Sequence, residues 1–445
     1  MKKKILSKID LVSDLENGCK PKSKWRIGTE HEKFAYDKNS LKPIQYEKIK
    51  LLFSSLTKNF HWKKVYENDQ LIGLKKNGSS ITLEPGGQIE LSGAPVENLF
   101  QTCQQVNTHK NELKDVSNSL NIDYMGIGVL PKWNLEDIPI MPKKRYEIMR
   151  DHMKEVGTLG LDMMFRTCTI QANFDFDSES DMVKKMRVAL AIQPAIIALY
   201  ANSPFVEGKL TGYCSYRSMI WTKTDNKRCG FLPFVFDDGF SFESYVDYLL
   251  NVPMYFVKRD DEYINCAGES FKDFLNGKLP SFFGQYPNLK DWNDHMTVSF
   301  PEVRLKKFLE VRGADGGPWS SVCALPAFWT GILYDKDVLD EIWDLVKNWD
   351  LEQKQTFYLE VARNGLKSKC PENRDIKDLL IRLLNLSKYG LKKRKIIIDK
   401  KDESFFLEPL YKVLKSKKSP AEKWNELFLK KWNKDLDKIY EINFF

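Results

Sequence analysis

The sequence predicts an α+β protein with an appended helical part, and three observations carry that reading. Segments with a two-residue apolar repeat are mixed with helical ones up to Cys323, beyond which the pattern is helical to the end. Four otherwise apolar, strand-like segments each carry two polar residues at positions i and i+2. No internal repeat or low-complexity linker interrupts the chain of 445 residues. The expected division is an α+β domain over residues 1–330 and a helical region over 331–445 packed on it.

In chain order, residues 1–20 read as an amphipathic helix ending near Asn17-Gly18. A strand follows through Trp25–Phe34, whose alternation puts Glu30 and Glu32 on one face, beside the bare Gly28. A polar helix is expected over 45–60. A hairpin is expected over 62–92, turning at Asn77-Gly78, a pair that tolerates the positive φ of a two-residue turn. Next come a helix over 95–120, a buried strand over 125–130 and a short helix over 143–156. A strand is expected from Met163 to Phe176, then a long apolar helix from Asp181 to Ala201 that Pro194 kinks. Residues 208–240 are rich in glycine, aromatic and polar groups and lack periodicity, the mark of a structured loop that carries function. A helix over 241–252, a strand over 253–265 and a strand from Glu302 to Gly313 complete the mixed part.

Composition narrows the class. Hydrophobic residues make up 42% and charged residues 29%, enough for a sizeable core and against global disorder. No run approaches the ~18 apolar residues of a membrane span. The start, Met-Lys-Lys-Lys-Ile-Leu-Ser-Lys-Ile-Asp, has neither the apolar stretch of a secretory signal nor an Arg/Ser-rich transit composition. The net charge of +8 sits mainly in residues 391–445, with 15 Lys/Arg against 9 Asp/Glu, and reads as a solvated basic tail. A nucleic-acid-binding or scaffold role through that tail is the rival reading, and it leaves the paired carboxylates unexplained. Eight scattered cysteines without Cys-x-x-Cys give no support to zinc-ribbon or thioredoxin-type sites, and point to a reducing cytoplasm with mostly free thiols.

The i, i+2 pairs are Glu30/Glu32, Gln88/Glu90, Gln171/Asn173 and Glu310/Arg312. Singly, each has a plain structural explanation: core amides, a salt bridge, or a turn at Glu84-Pro-Gly-Gly. Repeated four times, the pattern describes one sheet face that cannot be an apolar core, because unpaired polar groups are costly to bury. Such a face suits a metal–phosphate site, and oxygen donors without a Cys/His cluster select Mg²⁺ or Mn²⁺ over zinc. No Gly-x-x-x-x-Gly-Lys-Ser/Thr occurs, so phosphate would be held by metal, Arg and Lys. Arg217, with Tyr213, Tyr216 and Trp221 around it, suits either bidentate capture of an α-carboxylate or an aromatic packing cluster. Arg166, Arg304 and Trp319 are further pocket candidates.

These segments together resemble the plant and proteobacterial type of glutamate–cysteine ligase. The motifs are Arg26-Ile-Gly-Thr-Glu-His-Glu-Lys-Phe34, Leu83-Glu-Pro-Gly-Gly-Gln-Ile-Glu-Leu-Ser-Gly93, Val156 to Gln171, Val252-Pro-Met-Tyr-Phe256, Pro301-Glu-Val-Arg-Leu305, Arg312-Gly-Ala-Asp-Gly-Gly-Pro-Trp319 and Ser419-Pro-Ala-Glu422. The resemblance implies a glutamine-synthetase-like fold: a curved, mainly antiparallel sheet forming a funnel, with helices outside. It implies ATP-dependent joining of the glutamate γ-carboxylate to the cysteine amine through a γ-glutamyl phosphate, the first step of glutathione biosynthesis. Glu30, Glu32, Glu84, Glu90, Gln171 and Glu310 are then the metal shell for Mg²⁺ (or Mn²⁺), with ATP as co-substrate. Arg312 and Glu310 become the catalytic pair, and Met164, Arg166, Tyr213, Tyr216, Arg217, Trp221, Arg304 and Trp319 the substrate-binding set. The partners implied are small molecules, not nucleic acid or membrane, with a monomer or a homodimer both open. Plant members carry two cysteine pairs linked to redox control. Cys103 and Cys323 match one pair. Cys266 matches half of the other, whose second slot holds Ser281. Whether Cys103 and Cys323 join is open, and a reducing cytoplasm favours free thiols. The missing transit segment points to a bacterial, cytosolic form.

Overall fold

The computed structural model describes residues 5–442 and 444. Nine strands of these residues form one sheet: β1 (Ile27–Asp37), β2 (Lys63–Glu67), β3 (Gln70–Lys76), β4 (Ser79–Leu83), β5 (Ile89–Ser92), β6 (Ile122–Met125), β7 (Thr169–Phe174), β8 (Val303–Leu305) and β9 (Leu309–Asp315). Their order is β8-β9-β7-β1-β5-β4-β3-β2, with β6 pairing the far end of β1, and every pairing is antiparallel. Long β1 is central because its alternation serves two environments at once. Glu30 and Glu32 face inward, while His31 and Lys33 are buried on the other side.

Helices cover that outer side. The helix Leu99–Ser117 starts at an Asn98–Gln101 capping box, and Trp319–Leu333 lies against β1 and β7. His31 meets His109 of the first helix and Trp319 of the second, with ring centroids 5.8 and 5.3 Å away. The helix Glu179–Tyr200, capped by Ser178, packs on β9 and runs through Pro194. It is apolar nearly all round because the helices Lys336–Val346 and Leu351–Asn364 bury its other side.

Several expectations hold. The hairpin turns at Asn77-Gly78, both at positive φ (49° and 80°). The amino-terminal helix spans Lys8–Glu16, and the Met1–Lys4 part of that expectation lies outside the described residues. Others need correction. The expected strand Met163–Phe176 begins as a helix, Gly160–Arg166, and only Thr169–Phe174 is extended. The expected strand Glu302–Gly313 is a hairpin, β8 and β9, which places Arg304 opposite Glu310. The supposed loop 208–240 contains the helix Tyr216–Thr222. The basic carboxy-terminal stretch is no solvated tail: Leu407, Leu410, Ala421, Phe428, Leu436, Ile439 and Tyr440 are buried, and Tyr440 packs edge-on against Tyr36 of β1 at 4.9 Å. Its lysines project outward from an apolar underside.

Cys103 and Cys323 form a disulfide (Cα–Cα 5.7 Å) joining the two outer helices, which corrects the expectation of free thiols. It closes a sequence separation of 220 residues. Linking such distant points restricts the unfolded chain, an effect of about 2–4 kcal/mol. Reductant should therefore lower the denaturation midpoint of the oxidised protein, while a Cys103→Ser/Cys323→Ser variant should unfold at the reduced midpoint with or without it. At the unmatched slot, Ser281 donates to Glu269, and the buried Cys266 thiol is free, pushed up by burial to about 11.

Candidate active site

The inner face of the sheet gathers its polar groups by register. Glu32 of β1 lies opposite Glu90 of β5, and Glu90 opposite Thr82 of β4. On the other flank Glu30 lies opposite Gln171 of β7, and Asn173 opposite Glu310 of β9. This face opens into a cavity of about 340 Å³. Its far wall is built by Lys143, Arg145 and Tyr146 at the start of the helix Lys144–Met153, by Met163 and Met164 of Gly160–Arg166, and by Arg217 and Trp221 of Tyr216–Thr222. Gln88 ties the β4–β5 turn to that wall: its amide accepts from Gly86 N (2.9 Å) and donates to Thr167 O (2.9 Å). Gly28 makes room for Asn173, whose side chain a Cβ there would meet at 3.0 Å.

Four carboxylates face the cavity with only neutral hydrogen-bond donors. Glu30 accepts from Asn173 Nδ2 (2.8 Å) and Glu32 from Thr169 N (2.9 Å). Glu84 accepts from the Tyr146 hydroxyl (3.4 Å), and Glu90 from Ser92 Oγ (2.8 Å) and Thr82 Oγ1 (3.2 Å). Burial and mutual repulsion push Glu30 and Glu90 up to about 7, and Glu32 and Glu84 also rise. Glu310 behaves oppositely. Burial alone would raise it, but Arg304, Lys306 and Arg312 hold it well below the usual carboxylate range. Arg304 grips it through Nη2 (2.8 Å), Lys306 Nζ reaches it at 2.9 Å, and Arg312 Nη1 bonds both Glu310 and Gln171 Oε1 (2.7 Å to the latter).

The cavity is thus an acidic centre between two cationic flanks, Arg304/Lys306/Arg312 and Lys143/Arg145. An anionic cluster whose members raise one another's pKa, recessed and lacking nitrogen or sulfur donors, fits a hard divalent cation. Among the described residues no three His, Cys, Asp or Glu side chains already stand gathered as a ligand set.

Of the residues singled out from sequence, the cavity brings together Glu30, Glu32, Glu84, Glu90, Gln171, Met164, Arg217, Trp221, Arg304 and Arg312. It leaves out five. Glu310 lies beneath the floor, fully buried and engaged by three cations, so it does not reach the cavity with the other acidic groups expected in the metal shell. Arg166 points away, paired with Asp162 (3.2 Å) and Glu207 (3.0 Å). Tyr213 and Tyr216 stack on each other (6.0 Å), with Arg363 over Tyr213. Trp319 sits on the opposite side of the sheet, stacked on His109 and donating to Asn107 Oδ1 (3.1 Å). Sequence reasoning missed Lys143, Arg145, Tyr146 and Lys306; the one available signal was the basic run Lys143-Lys-Arg145 entering a helix.

Known proteins resemble this chain over nearly its whole length. A family model described as glutamate-cysteine ligase family 2 matches residues 26–441. The chain is 53% identical over 436 residues to the chloroplastic glutamate–cysteine ligase of Nicotiana tabacum, covering 98% of this chain and 82% of that protein. It is 51% identical to the chloroplastic enzyme of Arabidopsis thaliana, with the same coverage. Among solved structures, a glutamate–cysteine ligase from Francisella tularensis in complex with AMP superposes with a TM-score of 0.56 at 16% identity, covering 94% of this chain and 87% of that one, a likeness of fold. These relatives overturn the cytosolic expectation, since the plant enzymes about 51–53% identical to nearly the whole chain are chloroplastic.

Proposed function

This chain belongs to glutamate–cysteine ligase family 2, and from that membership we propose how its residues divide the chemistry. It joins glutamate to cysteine, the first step of glutathione biosynthesis. The observation that carries the assignment is the cavity itself: four recessed carboxylates that rise through burial and mutual repulsion, in a cavity that six basic side chains also line.

In this reading Glu30, Glu32, Glu84 and Glu90, with Gln171 at the edge, hold Mg²⁺, which supplies neutralisation of the ATP phosphates when bound. Arg312 faces the γ-phosphoryl group. Its orientation is fixed by Glu310 and by Gln171 Oε1, so it meets developing charge without having to reorganise. Lys143 and Arg145 complement the phosphates from the opposite wall. Arg217, framed by Trp221, receives the α-carboxylate of glutamate and so aims the γ-carboxylate at the phosphorus. Attack forms an acyl phosphate and releases ADP. The cysteine amine then displaces phosphate. No protein nucleophile takes part, so positioning and charge stabilisation dominate. The same reading keeps residues 1–330 as the catalytic part and 331–445 as a helical region packed on it.

The direct test is ADP release by the purified protein. ADP should appear with ATP and Mg²⁺ only when glutamate and cysteine are both present, and chelation should stop it. ADP release indifferent to either amino acid would refute the assignment.

A further inference from the structure

The motifs Pro301-Glu-Val-Arg-Leu305 and Arg312-Gly-Ala-Asp315 each contain a carboxylate that the mechanism above does not use. Glu302 and Asp315 are 4% and 1% exposed, and neither lines the cavity. Burial raises both carboxyls, and the positive charge of Arg217 offsets part of that rise. Arg217 itself is 2% exposed; its Nη2 donates to Arg312 O (3.0 Å) and its Nε has no hydrogen-bond partner.

Each carboxylate is held by hydroxyls. Asp315 accepts from Asn202 N (2.8 Å), Ser203 Oγ (2.7 Å) and Ser215 Oγ (2.8 Å), and the same Ser203 Oγ accepts from Arg217 N (3.1 Å). Glu302 Oε1 accepts from the Tyr358 hydroxyl at 2.7 Å, and its Oε2 has no hydrogen-bond partner. Tyr358 comes from the helix Leu351–Asn364, and its hydroxyl also reaches Ser218 O (3.3 Å), the residue after Arg217. Gly313 leaves the space this needs: a Cβ there would lie 2.3 Å from Glu302 Oε2.

We propose that Glu302 and Asp315 are positioning residues that set the Arg217–Ser218 backbone, Asp315 through Ser203 Oγ and Glu302 through the Tyr358 hydroxyl, and thereby aim the Arg217 guanidinium. A planar guanidinium captures a carboxylate bidentately only when its plane is aimed, and an arginine with an unbonded Nε and one anchored Nη depends on the placement of its backbone for that aim. The inference rests on the assignment of Arg217 to the α-carboxylate of glutamate and extends it to a helix of the carboxy-terminal region.

Tyr358→Phe removes one hydroxyl and keeps the ring. It should raise the KM for glutamate by about tenfold, the scale of a lost hydrogen bond to a charged group, with kcat within about twofold. The KM for ATP should not move, while the unfolding midpoint should fall, because Glu302 loses its hydrogen-bond donor in the interior. Glu302→Gln should shift the glutamate KM in the same direction and carries the test should Tyr358→Phe fail to fold. Arg217→Lys separates the two layers: an unchanged glutamate KM in that variant overturns the Arg217 assignment itself. A raised KM in Arg217→Lys with unchanged values in Tyr358→Phe and Glu302→Gln overturns only the positioning role. Adding Tyr358→Phe to Arg217→Lys should have no further effect on the glutamate KM, and a further rise of similar size would show that the hydroxyl does not act through Arg217.

Discussion

Glu30→Gln should cut ligase turnover by about 10²–10³-fold, the range seen when a charge-stabilising group is removed from an active site, and leave the fold intact. The side chain keeps its shape and its hydrogen bond to Asn173. What it loses is a negative charge aimed at the cavity, where Glu90 and Glu310 already repel it. Without metal, the variant should be at least as stable as the parent. The sign follows from proton linkage. A carboxyl raised from its ordinary 4.5 to about 7 binds its proton more tightly folded than unfolded, so it lowers stability as pH rises through that window. The metal-free parent should therefore lose stability between pH 4.5 and about 7, and Glu30→Gln should flatten that slope. Mg²⁺ should restore stability to the parent above pH 7 and do so less for the variant. Thermal melts at several pH values, with and without Mg²⁺, check all of this. An unfolded Glu30→Gln protein would show that the residue is structural.

Glu310→Gln should do the reverse and destabilise the protein by about 3–5 kcal/mol, the cost of stripping one partner from a buried ion cluster. The residue type is the same and the face of the sheet is the same. The difference is that Arg304, Lys306 and Arg312 all converge on Glu310, which is fully buried. Neutralising it leaves three recessed cations facing one another. Arg312 also loses the partner that aims it, so kcat should fall along with stability. Urea denaturation measures the first effect, and kcat at a temperature where the variant remains folded measures the second. A stable, metal-indifferent and inactive Glu310→Gln variant would instead restore the residue to the metal shell.

Much of the site was legible because a strand repeats every two residues. That rule alone put Glu30 and Glu32 on one face, and Gln88 with Glu90 and Gln171 with Asn173 likewise, while the strand register that sets Glu32 beside Glu90 and Glu30 beside Gln171 came from the fold. The hairpin hidden in Glu302–Gly313 was not legible. Its turn runs through Lys306-Lys-Phe308 without the glycine, proline or asparagine that marks a tight reversal, so Arg304 was not seen to face Glu310. The helix Gly160–Arg166 is seven residues long, too short for its period to stand out from the strand that follows. Arg166, Tyr213, Tyr216 and Trp319 were chosen for side chains that serve binding and packing equally well. Only tertiary placement decides between those uses, and it turned all four from the cavity. Lys143 and Arg145 reach the site from a helix with no pattern linking it to the sheet.

The lateral pairing of Glu32 with Glu90 and of Glu30 with Gln171 also limits how the gene for such a protein can change length. Losing or gaining one codon within β1 would swing His31 and Lys33 into the cavity and drive both carboxylates into the packed helices behind it. Changes of length among functional descendants should therefore fall between strands, and the few tolerated inside β1, β5 or β7 should come in twos.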